Sequence, residues 1–180
     1  ELDIPILGVI EAGARVAAHE TRNKRVGIIG TVGTVGSGIH ASYLKELDPE
    51  ITVIGKACPL FVPLVEEGWY HDPVTEEVAR RYLKELQDKE VDTLILGCTH
   101  YPLLRPLIAR FVPSRVKIIG QGQIVAGSLA DYLKRHPEID RRLGKDSRRS
   151  YLTTEKTELF DRMAGLFLKE EISSQRIFMC

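Results

Sequence analysis

The chain has 180 residues, and its 25 acidic and 25 basic side chains cancel. That balance excludes the strongly basic character of a nucleic-acid-binding domain and gives no reason to expect an anionic membrane surface as partner. Apolar residues make up 43% and charged residues 28%, enough for a packed core in an ordinary soluble domain.

No apolar run approaches the roughly 20 residues of a membrane helix. The acidic start Glu1-Leu2-Asp3 and the early Pro5 do not read as a signal peptide. Cys58, Cys98 and Cys180 are odd in number, far apart and without a CxxC pair. They read as reduced thiols in a cytoplasmic protein.

Ile4 to Ile10 is a short apolar run that predicts a buried strand, and Ala12 to His19 follows with helix formers. Val26-Gly27-Ile28-Ile29-Gly30 predicts a second strand. Thr31 to Gly38 is glycine-rich and reads as a loop, followed by a helix over about 39–47 that Asp48-Pro49 ends. Ile51 to Gly55 predicts a third strand. Pro59 to Glu66 predicts a short helix closed by Gly68. From Val74, the spacing of Val78, Tyr82, Leu83 and Leu86 predicts a longer helix with a charged outer face. Val91 to Leu96 predicts the fourth strand, Tyr101 to Phe111 a helix, and Val116 to Ile119 the fifth strand. This alternation predicts an α/β fold with a parallel sheet covered on both faces.

Beyond Gly120, Val125, Leu129, Tyr132, Leu133 and His136 form a helical stripe. Pro137 to Ser150 is polar and basic and reads as a solvated loop. Tyr151 to Thr153 predicts a last strand, and Phe160, Met163, Ala164 and Phe167 one face of a last helix.

The chemistry concentrates in Leu96-Gly97-Cys98-Thr99-His100-Tyr101-Pro102-Leu103-Leu104. A thiol, a hydroxyl and an imidazole stand in line at the expected carboxyl end of a strand, where open α/β sheets bind ligands. The helix predicted after it would favour a thiolate or a bound carboxylate. The plain alternative for Cys98 is a small buried hydrophobe, and for His100 a backbone-bonded histidine.

Thr31 and Thr34 follow a strand in a turn with Gly30, Gly33, Gly36 and Gly38. They could line a pocket, cradle a phosphate or shape a turn. The segment lacks the Gly-Lys-Ser/Thr ending of a P-loop and does not fit GxGxxG. His19, His40, His71 and His136 show no HxH or HExxH spacing, so no metal site is assigned.

The Cys98 segment resembles the second catalytic-cysteine motif of the bacterial glutamate racemases. Gly8-Val9-Ile10-Glu11-Ala12-Gly13-Ala14-Arg15, Val26 through Thr34, and Ala57-Cys58-Pro59-Leu60-Phe61-Val62-Pro63-Leu64-Val65-Glu66 resemble other segments of the same family, in the family's order. The resemblance implies a two-lobed, pseudo-symmetric fold with substrate between the lobes. Residues 1–121 would form the lobe carrying the second cysteine, and 122–180 would return to the other lobe. It also implies an Asp-Ser pair and a first cysteine followed by Asn-Thr, none of which this sequence contains before Cys58. The chain is therefore expected to be the C-terminal two-thirds of such an enzyme, inactive alone.

The implied reaction is cofactor-free interconversion of L- and D-glutamate, supplying D-glutamate for peptidoglycan. Two thiols on opposite faces of Cα would act as base and acid. A thiol suits both roles because its ordinary pKa is about 8.5. The resemblance makes Cys98 and His100 catalytic, and Thr99, His100, Thr31, Thr34 and Glu66 contacts to substrate. A solvated surface role is the alternative for Glu66. The family is commonly dimeric, so a homodimer is expected. An aspartate or hydantoin racemase, a cysteine hydrolase and a non-catalytic carboxylate-binding lobe are the other readings.

Overall fold

The computed structural model describes residues 5–178. Their contacts divide into two compact units, one ending at Arg135 and the other beginning at His136.

The first unit is built on four parallel strands. They are β1 (Arg25–Gly30), β2 (Thr52–Ala57), β3 (Thr93–Leu96) and β4 (Lys117–Gly120), in the order β2-β1-β3-β4. The helices are α1 (Val9–Glu20), α2 (Val32–Gly36), α3 (Ile39–Leu47), α4 (Phe61–Glu66), α5 (Pro73–Asp88), α6 (Arg105–Arg110) and α7 (Gln121–Arg135). The register pairs Ile28 with Gly55 on one side and with Ile95 on the other.

The strands predicted at 26–30 and 91–96 correspond to β1 and to β3, which begins two residues later than expected, and both are buried along nearly their whole length. Side chains alternate between the two faces. On one face Val26, Ile28, Ile95 and Ile119 pack with Ala14 and Ala17 of α1 and Leu44 of α3. On the other, the bare Cα of Gly27 admits Leu94 and Leu86 of α5. A fully buried Leu or Ile side chain contributes about 1.5–3 kcal/mol, so these two layers hold the sheet.

Local signals explain the helix starts. Asp72 caps α5 by accepting the Val74 N–H at 2.8 Å, with Pro73 in the first turn. Gly38 begins α3 with φ 66°, the left-handed region that glycine enters without strain.

Three expectations are corrected. Residues 5–8 are irregular and exposed, and Val9 and Ile10 already belong to α1; Ile4 lies outside the described residues. A short apolar run fits a strand or a helix equally well, and here Glu11-Ala12 and the residues after it carry it into the helix. The glycine-rich stretch after Thr31 contains the short helix α2. The single helix expected over 101–111 is a 3₁₀ turn, Tyr101–Leu104, followed by α6. Pro106 supplies no N–H in the first turn of α6, which favours a fresh helix start there.

The second unit contains α8 (Pro137–Asp140), β5 (Tyr151–Thr153), α9 (Thr157–Leu168) and β6 (Ser174–Arg176), with β5 and β6 parallel. The strand β6 was not expected from sequence, and α8 occupies the first four residues of the stretch 137–150 that reads as a loop, with Pro137 in its first turn. Residues 141–150 are exposed, and Arg149 pairs with Glu170 at 2.9 Å. No residue of α7 or α9 is fully buried, although both carry the expected apolar stripes. Among the described residues, no helix is long and apolar enough to cross a membrane.

Candidate active site

The strand order reverses beside β1. The chain goes from β1 to β2 on one flank, then crosses to β3 on the other. In an open α/β sheet, the crevice at the carboxyl ends of two such strands is where ligands bind. Here those ends are Gly30 and Leu96.

Backbone bonds fix the ends together. Gly97 donates to the Ile29 carbonyl at 2.7 Å, and Cys58 donates to the Gly30 carbonyl at 2.8 Å. The segments leaving β2 and β3 are thus both anchored to the central strand. Cys98 follows directly, half-buried.

From Cys98 a polar chain runs outward. Its Sγ lies 3.8 Å from His100 Nδ1, and His100 Nε2 lies 3.1 Å from Glu66 Oε1. Glu66 closes α4 and is 34 residues away in sequence. In the tautomer whose Nε2–H donates to Glu66, Nδ1 presents its lone pair toward the thiol. Thiol, imidazole and carboxylate thus stand in line, a set of groups chemically able to pass a proton. The His100 side chain is 23% exposed and that of Glu66 50%, so the array opens to solvent at its carboxylate end.

Thr31 and Thr34 form the neighbouring wall. Thr31 caps α2 by accepting the Thr34 N–H at 3.2 Å, and the two hydroxyls are 2.9 Å apart. A Cβ at Gly97 would come within 3.3 Å of the Thr34 methyl, which places Thr34 beside the residue preceding Cys98. A cavity of about 240 Å³ borders Thr34, His40 and Gly55. Thr99 is exposed between Cys98 and His100. A separate apolar cleft of about 490 Å³, bordered by Leu60, Val74, Val78 and Tyr82, includes none of these residues.

Cys58 differs from Cys98. It is fully buried, and burial pushes its thiol up to about 12. Cys180 lies outside the described residues. Sequence reasoning missed Tyr101, whose buried hydroxyl donates to the Cys58 carbonyl at 2.9 Å. The only sequence signal was its place directly after His100. Glu11, in the first turn of α1, pairs with Arg15 at 2.7 Å.

Among the described residues, no group of three or more His, Cys, Asp or Glu side chains is placed to hold a metal ion. The residues at this site can move protons and hydrogen-bond a small polar molecule.

Residues 1–128 match the family described as Asp/Glu/Hydantoin racemase. A glutamate racemase of Geobacter metallireducens is 44% identical over 167 residues, which is 93% of this chain and 62% of that protein. One of Chlorobaculum parvum is 45% identical over 134 residues, covering 74% of this chain and 49% of the relative. A glutamate racemase crystal structure from Bacillus anthracis superposes with a TM-score of 0.88 at 33% identity, covering 99% of this chain and 66% of that one. One from Francisella tularensis in complex with D-glutamate gives 0.84 at 30% identity, covering 99% and 64%. The chain thus spans less than two thirds of the length of both curated relatives. Sequence and fold agree over nearly all of its own length, and it belongs to the Asp/Glu/hydantoin racemase family.

Proposed function

We propose that this chain supplies one half of the proton-transfer machinery of a cofactor-independent glutamate racemase. Cys98, as thiolate, removes the Cα proton from one face of the substrate, or as thiol returns it. The electron pair left on Cα is taken up by the substrate carboxylate. A second thiol on the opposite face, outside this chain, completes the inversion. His100, backed by Glu66 through Nε2, uses Nδ1 either to accept and return the Cys98 proton or, once protonated, to donate to the substrate carboxylate. Thr31, Thr34 and Thr99 hold the amino and carboxylate groups, so that Cα presents its C–H bond to Cys98.

The observation that carries this reading is the Cys98–His100–Glu66 array at the carboxyl ends of the strands where the order reverses. The D-glutamate in the Francisella tularensis structure supports glutamate as substrate. The proposal extends to a homodimeric, cytoplasmic enzyme that supplies D-glutamate to peptidoglycan. Its fold has two lobes, with residues 1–121 in one and 122–180 returning to the other.

The test is exchange of the Cα proton of L- and D-glutamate in D₂O, followed by NMR, for this chain and for the full-length gene product. Exchange of both enantiomers by the full-length protein, lost in Cys98→Ala, is the expected result. Undiminished racemisation by the 180-residue chain would show that it supplies both acid/bases itself. Exchange of aspartate in place of glutamate would move the assignment to another substrate of the same family.

A further inference from the structure

Tyr101 belongs to none of the groups that move protons, yet it joins the two arms that do. Its ring is fully buried. Its hydroxyl spans 43 residues of sequence to reach the Cys58 carbonyl. Phe61 meets it edge-on, with ring centres 5.3 Å apart at 88°, and also meets Tyr82 edge-on at 5.3 Å. Such aromatic contacts are geometrically selective. Phe61 opens α4 and Glu66 closes it. Tyr101 thus grips the segment carrying Glu66, while its own backbone N–H, donated to the Cys98 carbonyl at 3.2 Å, closes the turn carrying Cys98 and His100.

We infer that Tyr101 is a positioning residue, whose bond to the Cys58 carbonyl sets the separation of His100 and Glu66. The inference rests on the proposed assignment of Cys98, His100 and Glu66 to the site. A buried aromatic ring can serve packing alone, but two features go beyond packing here. The acceptor lies in the loop that leads into α4, and the same residue's N–H is bonded to Gly30 of the central strand. Both arms are therefore referred to one rigid element. Burial raises the Tyr101 hydroxyl far above its ordinary range, so it stays a donor throughout the working pH range. The other titratable groups around the ring are Cys58, Cys98 and Tyr82, with Lys56 and Glu85 beside Cys58.

The test uses the chain as it stands. Alkylation of Cys98 by iodoacetamide is followed peptide by peptide by mass spectrometry as a function of pH. The proteins compared are the parent, Tyr101→Phe, Glu66→Gln and the double variant. Tyr101→Phe keeps the ring and removes only the hydroxyl. It is expected to displace the pH–rate profile in the same direction as Glu66→Gln, with a rate change of about fivefold at neutral pH, the equivalent of one hydrogen bond. The double variant should match Glu66→Gln, because both changes act through one contact. An unaltered profile with only a lowered Tm would overturn the inference, as would additive displacements. If circular dichroism shows Tyr101→Phe unfolded, Phe61→Leu removes the edge-on contact that aims the Tyr101 hydroxyl at the Cys58 carbonyl and so weakens the same bond. A displaced profile there supports the inference, and a parent-like profile overturns it. Because alkylation needs no turnover, failed Cα exchange with these alkylation results would overturn the proposed function and leave the positioning role standing.

Discussion

Gly97 donates its N–H to the carbonyl of Ile29 at 2.7 Å, and a Cβ at position 97 would stand 2.9 Å from that same oxygen. Carbon does not approach a backbone oxygen so closely without displacing it, and Ile29 belongs to the central strand. Gly97→Ala must therefore push the turn carrying Cys98 away from β1. The expected loss of stability is about 1–3 kcal/mol, read by urea unfolding, together with a changed rate of Cys98 alkylation. Parent-like values for both would mean that the turn shifts freely.

The two described cysteines should differ in reactivity. Cys58 is fully buried, and burial holds its thiol up at about 12. Cys98 is half-exposed beside His100. Brief treatment of the folded chain with iodoacetamide near neutral pH should label the peptide containing Cys98 and leave Cys58 unlabelled until the protein is unfolded. Equal labelling in the folded state would contradict the burial.

His100 bridges thiol and carboxylate, so replacing it should cost catalysis more than stability. In the full-length protein, His100→Asn should slow Cα exchange by roughly 10²–10⁴-fold, the usual contribution of one acid–base group. Thermal unfolding should change little, because the side chain is partly exposed. A rate within a few-fold of the parent would remove His100 from the proton path.

His40 is buried, its Nε2 lies 3.2 Å from the side-chain nitrogen of Gln121, and its Nδ1 has no hydrogen-bond partner. Burial lowers its pKa from the ordinary 6.5. The unfolded chain then binds more protons than the folded one between that lowered value and 6.5. This contribution to stability is complete above 6.5 and is lost as the pH falls toward the folded-state value. Its slope cannot exceed about 1.4 kcal/mol per pH unit. Urea unfolding across this window should show the loss in the parent, and His40→Gln should flatten it. An identical slope in the variant would assign the acid sensitivity elsewhere.

Asp92 ties the approach to β1 to the approach to β3. Its carboxylate accepts from Thr21 Oγ1 and from the backbone N–H groups of Arg22 and Asn23, each at 2.7 Å. Burial alone would raise its pKa, but these bonds together with that from Thr93 outweigh it and hold the pKa below the ordinary value of 3.8. The stabilisation is therefore present above 3.8 and lost as the pH falls through the folded-state pKa. Asp92→Ala should cost about 1.5–3 kcal/mol at neutral pH, the range for hydrogen bonds to a charged group. A denaturation midpoint within error of the parent would show that water replaces the carboxylate.

Local patterns in the sequence determined much of this protein. Short runs rich in β-branched residues and leucine marked β1 and β3, because a strand buried on both faces has no polar side. The 3.6-residue spacing marked α5, and Asp48-Pro49 marked the end of α3. The order Gly97-Cys98-Thr99-His100 identified the turn that carries the thiol. Other features depended on partners distant in sequence. Ile4 to Ile10 had the composition of a strand, and only the tertiary structure decided that Val9 and Ile10 enter a helix. The 3₁₀ turn at Tyr101–Leu104 breaks a helix that spacing alone extended to Phe111. The pairing of Glu66 with His100 and the bond from Tyr101 to Cys58 link segments 34 and 43 residues apart. No periodicity encodes such contacts. They follow from parallel register, which brings the carboxyl ends of β2, β1 and β3 level and sets the loops beyond them face to face.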